Sequence, residues 1–309
     1  VISANVSHGI RTSGANNSIK GNYIGTDSSG TAIITGSSQS YGIRGGGSFG
    51  TNNLTIGGTG PGEGNVISGN GFSGLYLTIN STIVGNIIGP QADGNSYLAS
   101  NSQDYGVYIS FSGNNTIGGN TAAARNIISA NESTGIFIIG ASATGNNIWG
   151  NYIGLASSGT SIITSATQDY GIYLTSTAGI HTIGGTLAGR GNVISGNAFY
   201  GVRLQSNGHT VVGNIIGPQK DGNTYVTSSP QRLGIWIRKD SNTIGGNTAA
   251  ARNIISGNDR AGVYISSLSG IPATGNKIQG NYIGPASTGT SIISGSHQDK
   301  GVEIWSMGT

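Results

Sequence analysis

The stretch N-T-I-G-G-N-T-A-A-A-R-N-I-I-S, Asn115 to Ser129, decides the fold. It holds two short apolar phrases, Thr116-Ile117 and Ile127-Ile128, each flanked by Gly or Asn. No helix survives such punctuation, because Gly and Asn interrupt every apolar run within about six residues. Both phrases recur. T-I-G-G returns at Thr55, Thr116, Thr182 and Thr243, and N-[VI]-I-S follows it at Asn65, Asn126, Asn192 and Asn253. A third phrase, G-N-[YI]-I-G, places Asn at 22, 86, 151, 214 and 281. A fourth, glycine followed by apolar-x-x, with the last position apolar from Gly74 onward, starts at Gly9, Gly42, Gly74, Gly106, Gly135, Gly171, Gly201, Gly234, Gly262 and Gly301.

Nine intervals carry the fourth phrase from Gly9 to Gly301, a mean period of about 32 residues. The other phrases alternate between successive periods, so a pair spans about 64 residues. A higher order shows too. Asn86 and Asn214 lead into G-P-Q-[AK]-D-G-N-[ST]-Y, whereas Asn151 and Asn281 lead into G-[LP]-A-S-[ST]-G-T-S-I-I. Val66 and Val193 are 127 residues apart, as are Ile127 and Ile254, so the duplicated unit is four periods.

Each period reads as a coil with three short strands of about three to five residues, rich in Ile, Val and Thr and alternating apolar with variable positions. Such strands cannot bury a face alone. Stacking equivalent strands of successive coils gives parallel sheets around one dry core, and the crossover preference makes the winding right-handed. The expected fold is all-β, a right-handed parallel β-helix of about ten coils. With strands ~4.8 Å apart it forms a rod roughly 45 Å long, with residues 1–309 as one repeat domain. Composition agrees. Gly is 57 of 309 residues and Asn 31, both suited to tight corners. Only 8 % of residues are charged and the net charge is +3, while β-branched residues abound, so the chain is ordered.

Asn115 to Ser129 and G-N-Y-I-G-T-D-S-S-G-T at Gly21 to Thr31 resemble large secreted bacterial repeat proteins with a pectate-lyase-like right-handed β-helix, the adhesin or surface-fibre type. The resemblance covers the whole chain and implies an extracellular or cell-surface location. Proteins of this kind include adhesins, surface fibres and carbohydrate-active enzymes.

Several function classes fall away. The 14 Lys and Arg are scattered and form no basic stripe, so no nucleic-acid partner is expected. No apolar run approaches a membrane span. Cysteine is absent. The four histidines sit in unrelated repeat contexts, so neither metal nor cofactor is expected. The acids are mostly repetitive: Asp104, Asp169 and Asp299 lie in Q-D-[YK]-G, and Asp93 and Asp221 in the D-G-N loop. A repeated Asp reads as a turn anchor, and one Asp with one Asn is too few ligands for calcium. The pairs Lys239-Asp240 and Asp259-Arg260 are the catalytic alternative, provided they approach on adjacent turns; otherwise they are surface charges. Arg125, Arg190 and Arg252 recur before N-[VI]-I-S and read as ties from a loop to backbone carbonyls.

Two columns remain. Asn22, Asn86, Asn151, Asn214 and Asn281 should stack as an amide ladder, one for every second coil. The x of the fourth phrase reads Arg11, Arg44, Tyr76, Tyr108, Phe137, Tyr173, Arg203, Trp236, Tyr264 and Glu303. Its neighbours are apolar, so x points outward, and substantial exposure is expected. Such a row either packs on itself, contacts a protein or stacks on glycan rings. The expected function is a non-enzymatic structural or adhesive solenoid, a fibre subunit or stalk. The alternative is a carbohydrate-active enzyme or glycan-binding domain. Val1 to Asn5 and Gly301 to Ile304 both match interior strands, so the chain is expected to be a piece of, or a subunit in, a longer assembly that stacks end to end.

Overall fold

The computed structural model describes residues 1–45, 53–77, 80–100, 103–226, 231–267 and 270–305. Each coil contributes one strand to each of three all-parallel sheets, of ten, nine and nine strands, in unbroken sequence order. This is a parallel β-helix. The first sheet holds the glycine-apolar-x-apolar strands, from His8–Thr12 and Tyr41–Gly45 through to Lys300–Trp305. The second holds the T-I-G strands such as Thr116–Gly118, and the third the N-[VI]-I strands such as Ile127–Ile128. Strands of the third sheet are only two residues long, shorter than the sequence suggests. Left-handed glycines close them off: Gly85 (φ 70°) and Gly89 (φ 104°) bracket Ile87–Ile88.

Register follows the repeat residue for residue. Ile136 pairs with Ile172, Ile172 with Val202, and Val202 with Ile235, all fully buried. Ile117 and Ile128 of the deciding stretch close the same core from the other two sheets, both at 0 % exposure. The core is thus four files of Ile, Val and Leu running along the rod, two from the first sheet and one from each of the others.

Corner chemistry explains the punctuation. Gly118 sits at φ 84°, and a Cβ there would lie 1.9 Å from the carbonyl oxygen of Trp149. Only glycine lets one coil turn so close beneath the next. The Asn ladder is denser than expected: one Asn per coil, not one for every second coil. Asn65 Nδ2 donates to Asn86 Oδ1 (2.9 Å), Asn86 to Asn126 (3.0 Å), Asn126 to Asn151 (2.9 Å), Asn151 to Asn192 (3.0 Å), Asn192 to Asn214 (2.9 Å), Asn214 to Asn253 (3.1 Å) and Asn253 to Asn281 (2.8 Å). Asn22 begins the file on Asn65. The Asn of N-[VI]-I-S and the Asn of G-N-x-I-G fill the same corner in alternate coils, which motif labels conceal.

A second ladder alternates Gln with Asn: Gln103 Nε2 donates to Asn131 Oδ1 (2.8 Å), Asn131 to Gln168 (2.9 Å) and Gln168 to Asn197 (2.8 Å). A third file of buried polar side chains stands before the second sheet. It runs through Asn115, Asn146, His181, His209 and Asn242. The imidazoles of His181 and His209 stack at 5.5 Å.

The 64-residue and four-coil periods also have a cause. Long loops after the third sheet occur in every second coil and clip onto each other. Ala92 N donates to Gly30 O (3.0 Å), Ser157 N to Gly94 O (2.8 Å), Lys220 N to Gly159 O (3.0 Å) and Ser287 N to Gly222 O (2.9 Å). The two loop types are complementary: Ser157 Oγ donates to Asn95 Oδ1 (2.8 Å), and Ser287 Oγ to Asn223 Oδ1 (2.7 Å).

Candidate binding face

From Tyr76 to Tyr264 the x residues do point outward, between flanking Ile, Val and Leu that are buried. They are less exposed than the sequence suggests. Arg11 is exposed, but Arg44, Tyr76, Tyr108, Phe137, Tyr173, Arg203, Trp236 and Glu303 are half-buried and Tyr264 is buried. A second file of rings covers them. Tyr41, Tyr105, Tyr170 and Tyr200, each just before the glycine, also face outward, and Phe72 and Phe199 fill between them. The recurring Y-G dipeptide was the available signal for this file.

The rings interlock along the rod. Tyr76 stacks on Tyr108 (5.3 Å between centroids) and Tyr108 on Phe137 (5.2 Å); Phe137 meets Tyr173 edge-on (5.2 Å). Tyr105 packs against both Tyr108 and Phe137, and Tyr200 against Trp236 at 4.9 Å. Burial raises the pKa of Tyr105, Tyr108 and Tyr170 above the usual phenol value. Arginines are threaded into the row. The Arg44 guanidinium lies 5.2 Å from the rings of Tyr41 and Tyr76. Arg203 lies 4.4 Å from Tyr173 and 4.6 Å from Trp236. Mutual packing and partial exposure therefore coexist along the row from Tyr76 to Trp236.

One position differs from the rest. Gln205 is 7 % exposed, at the exit of the seventh first-sheet strand. With its amide oriented to satisfy every neighbour, its oxygen accepts from Arg203 Nε (3.2 Å), Arg203 Nη2 (2.6 Å) and Arg238 Nη1 (3.1 Å), and its nitrogen donates to Tyr173 Oη (2.7 Å). Arg238 is also 4.8 Å from the Trp236 ring, whose indole N–H donates to Ser266 Oγ (2.8 Å). Two guanidiniums thus share one neutral carbonyl. Desolvation, and then the charge of Arg203, lower the pKa of Arg238. Arg238 and Gln205 stand at positions that do not repeat, so the periodic reading passed over them.

The acids have structural work. The Asp93 carboxylate accepts from the backbone N–H of Asn95 and Ser96 and from Ser96 Oγ; Asp221 does the same with Asn223 and Thr224. Burial opposes ionisation at both, yet these bonds hold the two carboxyls below their ordinary value. Asp240 accepts from Thr274 N (2.7 Å), and Arg260 grips Glu303 through two bonds of 3.1 Å. The two charged pairs that the catalytic alternative needs together stay apart. Lys239-Asp240 follows the strand Leu233–Ile237, whereas Asp259-Arg260 precedes the strand Ala261–Ser266 paired beside it. The two pairs flank opposite ends of the sheet and do not converge.

The three loop arginines behave unequally. Arg125 Nε donates to Gly150 O (3.2 Å) and Arg252 Nε to Gly280 O (3.1 Å), as the sequence suggests. Each also lies 4.0 Å from a tyrosine ring, Tyr152 and Tyr282. Arg190 instead sits 3.9 Å over the Trp149 ring. Among the described residues no helix is long and apolar enough to cross a membrane.

No protein-family model, curated protein or solved structure matches the chain.

Proposed function

We propose that this chain is an extracellular structural or adhesive β-solenoid, a stiff rod that displays its first sheet to partners and stacks end to end with further coils. The observation that carries this reading is the outward row of rings and arginines, continuous over coil after coil, on a sheet backed by the apolar core and joined at its corners to amide ladders. Rigid, half-buried aromatics lose little entropy on contact, which suits them to an adhesive face. End-to-end stacking is supported by the register. Each first-sheet strand pairs with the next in the same register, as Ile136 with Ile172, Ile172 with Val202 and Val202 with Ile235, a geometry that a further coil can continue. Asp93 and Asp221, tied into turns, favour this reading over hydrolysis or lysis.

The test joins two measurements. Incubation with neutral and acidic polysaccharides should release no oligosaccharide. Replacing Tyr76, Tyr108 and Trp236 together with Thr, a strand-compatible residue, should weaken adhesion to immobilised glycan or to partner coils while the rod stays folded at the assay temperature. Released oligosaccharide that disappears on changing Asp240 or Asp259 would establish the enzyme reading instead.

A further inference from the structure

The rings of the first sheet form one unbroken file. Tyr41 lies 5.8 Å from Tyr76, and the steps Tyr76–Tyr108, Tyr108–Phe137 and Phe137–Tyr173 follow at 5.3, 5.2 and 5.2 Å between centroids. The file then passes sideways to Tyr170 (5.5 Å) and continues through Tyr200 (5.4 Å), Trp236 (4.9 Å) and Tyr264 (6.3 Å). It crosses eight successive strands of the sheet, from Tyr41–Gly45 to Ala261–Ser266. That is a path of about 35 Å at ~4.8 Å per coil. Among the described residues, every other ring-to-ring contact except the His181–His209 stack belongs to the side branches of this file. Tyr152 and Tyr282 stand apart from it, each under an arginine.

Cross-strand packing accounts for each pair of rings. Continuity over eight strands adds a chemical property. Phenols and indoles release a single electron far more readily than aliphatic side chains or phenylalanine, and every member of the file but Phe137 is one or the other. Electron tunnelling weakens exponentially with distance, so a series of short steps outruns one long jump. Phe137 is the one step that must be crossed as a bridge, and Tyr108 and Tyr173 both pack against it. The Arg44 guanidinium lies 5.2 Å from Tyr41 and Tyr76, and Arg203 lies 4.4 Å from Tyr173. Their charge disfavours a positively charged ring, so an oxidised tyrosine sheds its phenolic proton and becomes a neutral radical. Tyr41, Tyr76, Tyr108, Tyr170, Tyr173 and Tyr200 are half-buried, not sealed, so that proton can reach water. The chain has no cysteine to trap the radical.

We infer that the first-sheet rings are a relay for oxidising equivalents, carrying a one-electron vacancy between Tyr41 and Tyr264. The partner at one end is a one-electron oxidant, such as a high-valent metal centre, and at the other a one-electron reductant of the ascorbate or thiol class. The oxidant gains one electron; the first phenol loses that electron and gives its proton to water. The radical so formed takes an electron from the next ring and a proton from water, and that ring becomes the radical in turn. At Trp236 the electron comes from the indole, whose N–H donates to Ser266 Oγ (2.8 Å). The reductant refills the last ring, so the sum is one electron moved from reductant to oxidant. This relay is independent of the adhesive reading.

The test starts a vacancy at one end and looks for it at the other. With no native cysteine, Ser7→Cys gives a single attachment point beside Tyr41, whose backbone N–H donates to Ser7 O (3.0 Å). A ruthenium–bipyridine photo-oxidant coupled there is flashed with a sacrificial electron acceptor in dilute solution. Transient absorption follows phenoxyl and indolyl radicals, and peptide mass spectrometry reads which tryptophan is oxidised. Trp236 should be oxidised at least ten-fold more than Trp149, a half-buried indole on the second sheet. The yield at Trp236 should fall at least ten-fold in Phe137→Ile, which removes the bridge, with the fold checked by circular dichroism. It should rise in Phe137→Tyr, which turns the bridge into a step and keeps the test open should the Ile variant fail to fold. Tyr282→Phe, a ring off the file, should leave the yield unchanged. Trp236 oxidised no more than Trp149, or equally in the wild type and the folded Phe137 variants, overturns the relay and leaves the rings as packing alone.

Discussion

Lowering the pH from 7 to 5 should destabilise the middle of the rod through two residues, His181 and His209. Both are buried, at 1 % and 0 % exposure, and stacked on each other. In each, Nδ1 accepts a bond: from Asn146 N–H (3.3 Å) at His181 and from His181 N–H (3.2 Å) at His209. His209 Nε2 lies 2.7 Å from Ser206 Oγ. A protonated ring would turn an accepting nitrogen into a donor facing another donor. Burial lowers the folded pKa of His181 to about 4; burial and then the neighbouring His181 lower that of His209 to about 3. The sign follows directly. The unfolded chain takes up a proton near pH 6.5 and the folded chain does not, so stability present above pH 6.5 is lost as pH falls towards 4. At pH 5 each histidine costs about 2 kcal/mol, and the pair about 4 kcal/mol. Other groups also respond. Burial raises Asp104 and Asp169, which act in the opposite direction, while Asp93 and Asp221 are held low. A His181→Asn/His209→Asn variant removes only the histidine contribution, and Asn already fills this file at 115, 146 and 242. Urea unfolding at pH 7, 6 and 5, with hydrogen exchange to localise the loss, gives the comparison. The wild type should lose about 4 kcal/mol more than the variant between pH 7 and 5. Parallel pH profiles for the two proteins would refute the argument.

Other outcomes follow from the same coordinates. Ile172→Asp places a charge where exposure is 0 % and should unfold the coils around it, seen as lost hydrogen-exchange protection there and not at the ends. Asn151→Ala removes one acceptor of the Asn126 amide and one of the two donors to the Asn192 oxygen, and should cost about 2–4 kcal/mol in denaturant unfolding. Gly118→Ala must displace the Trp149 carbonyl and should prevent the corner from closing, whereas Gly36→Ala, with φ 80° but open space around it, should cost only about 1 kcal/mol of backbone strain. Replacing Tyr108 and Tyr173 with Ser should lower the unfolding midpoint, because both rings pack against Phe137; an unchanged midpoint would show that the rings contribute nothing to the sheet.

The inward files were legible in the sequence because Ile136, Ile172, Val202 and Ile235 occupy the same place in a phrase that never varies in spacing. The outward direction of the x column followed from the same alternation. Its half-burial did not, because coverage comes from Tyr41, Tyr105, Tyr170 and Tyr200, which stand three residues earlier and break the simple alternation at the glycine. The Asn ladder was legible by residue type but not by spacing, since Asn126 and Asn151 belong to different phrases and only the wound coil shows that they share a corner. The Gln–Asn and Asn–His files mix residue types, so no single letter repeats along them. The Arg203–Arg238 cluster was out of reach for the opposite reason: Gln205 and Arg238 interrupt the repeat, and a reading built on periodicity discards what occurs once.

The measurement that tests the rod most directly is electron microscopy of the purified chain at rising concentration, with light scattering on the same samples. Rods about 45 Å long at low concentration, lengthening in steps of that size as concentration rises, are the predicted result. A strictly monodisperse particle of 31.0 kDa at every concentration would contradict end-to-end stacking between copies, and a particle without an elongated axis would contradict the solenoid itself.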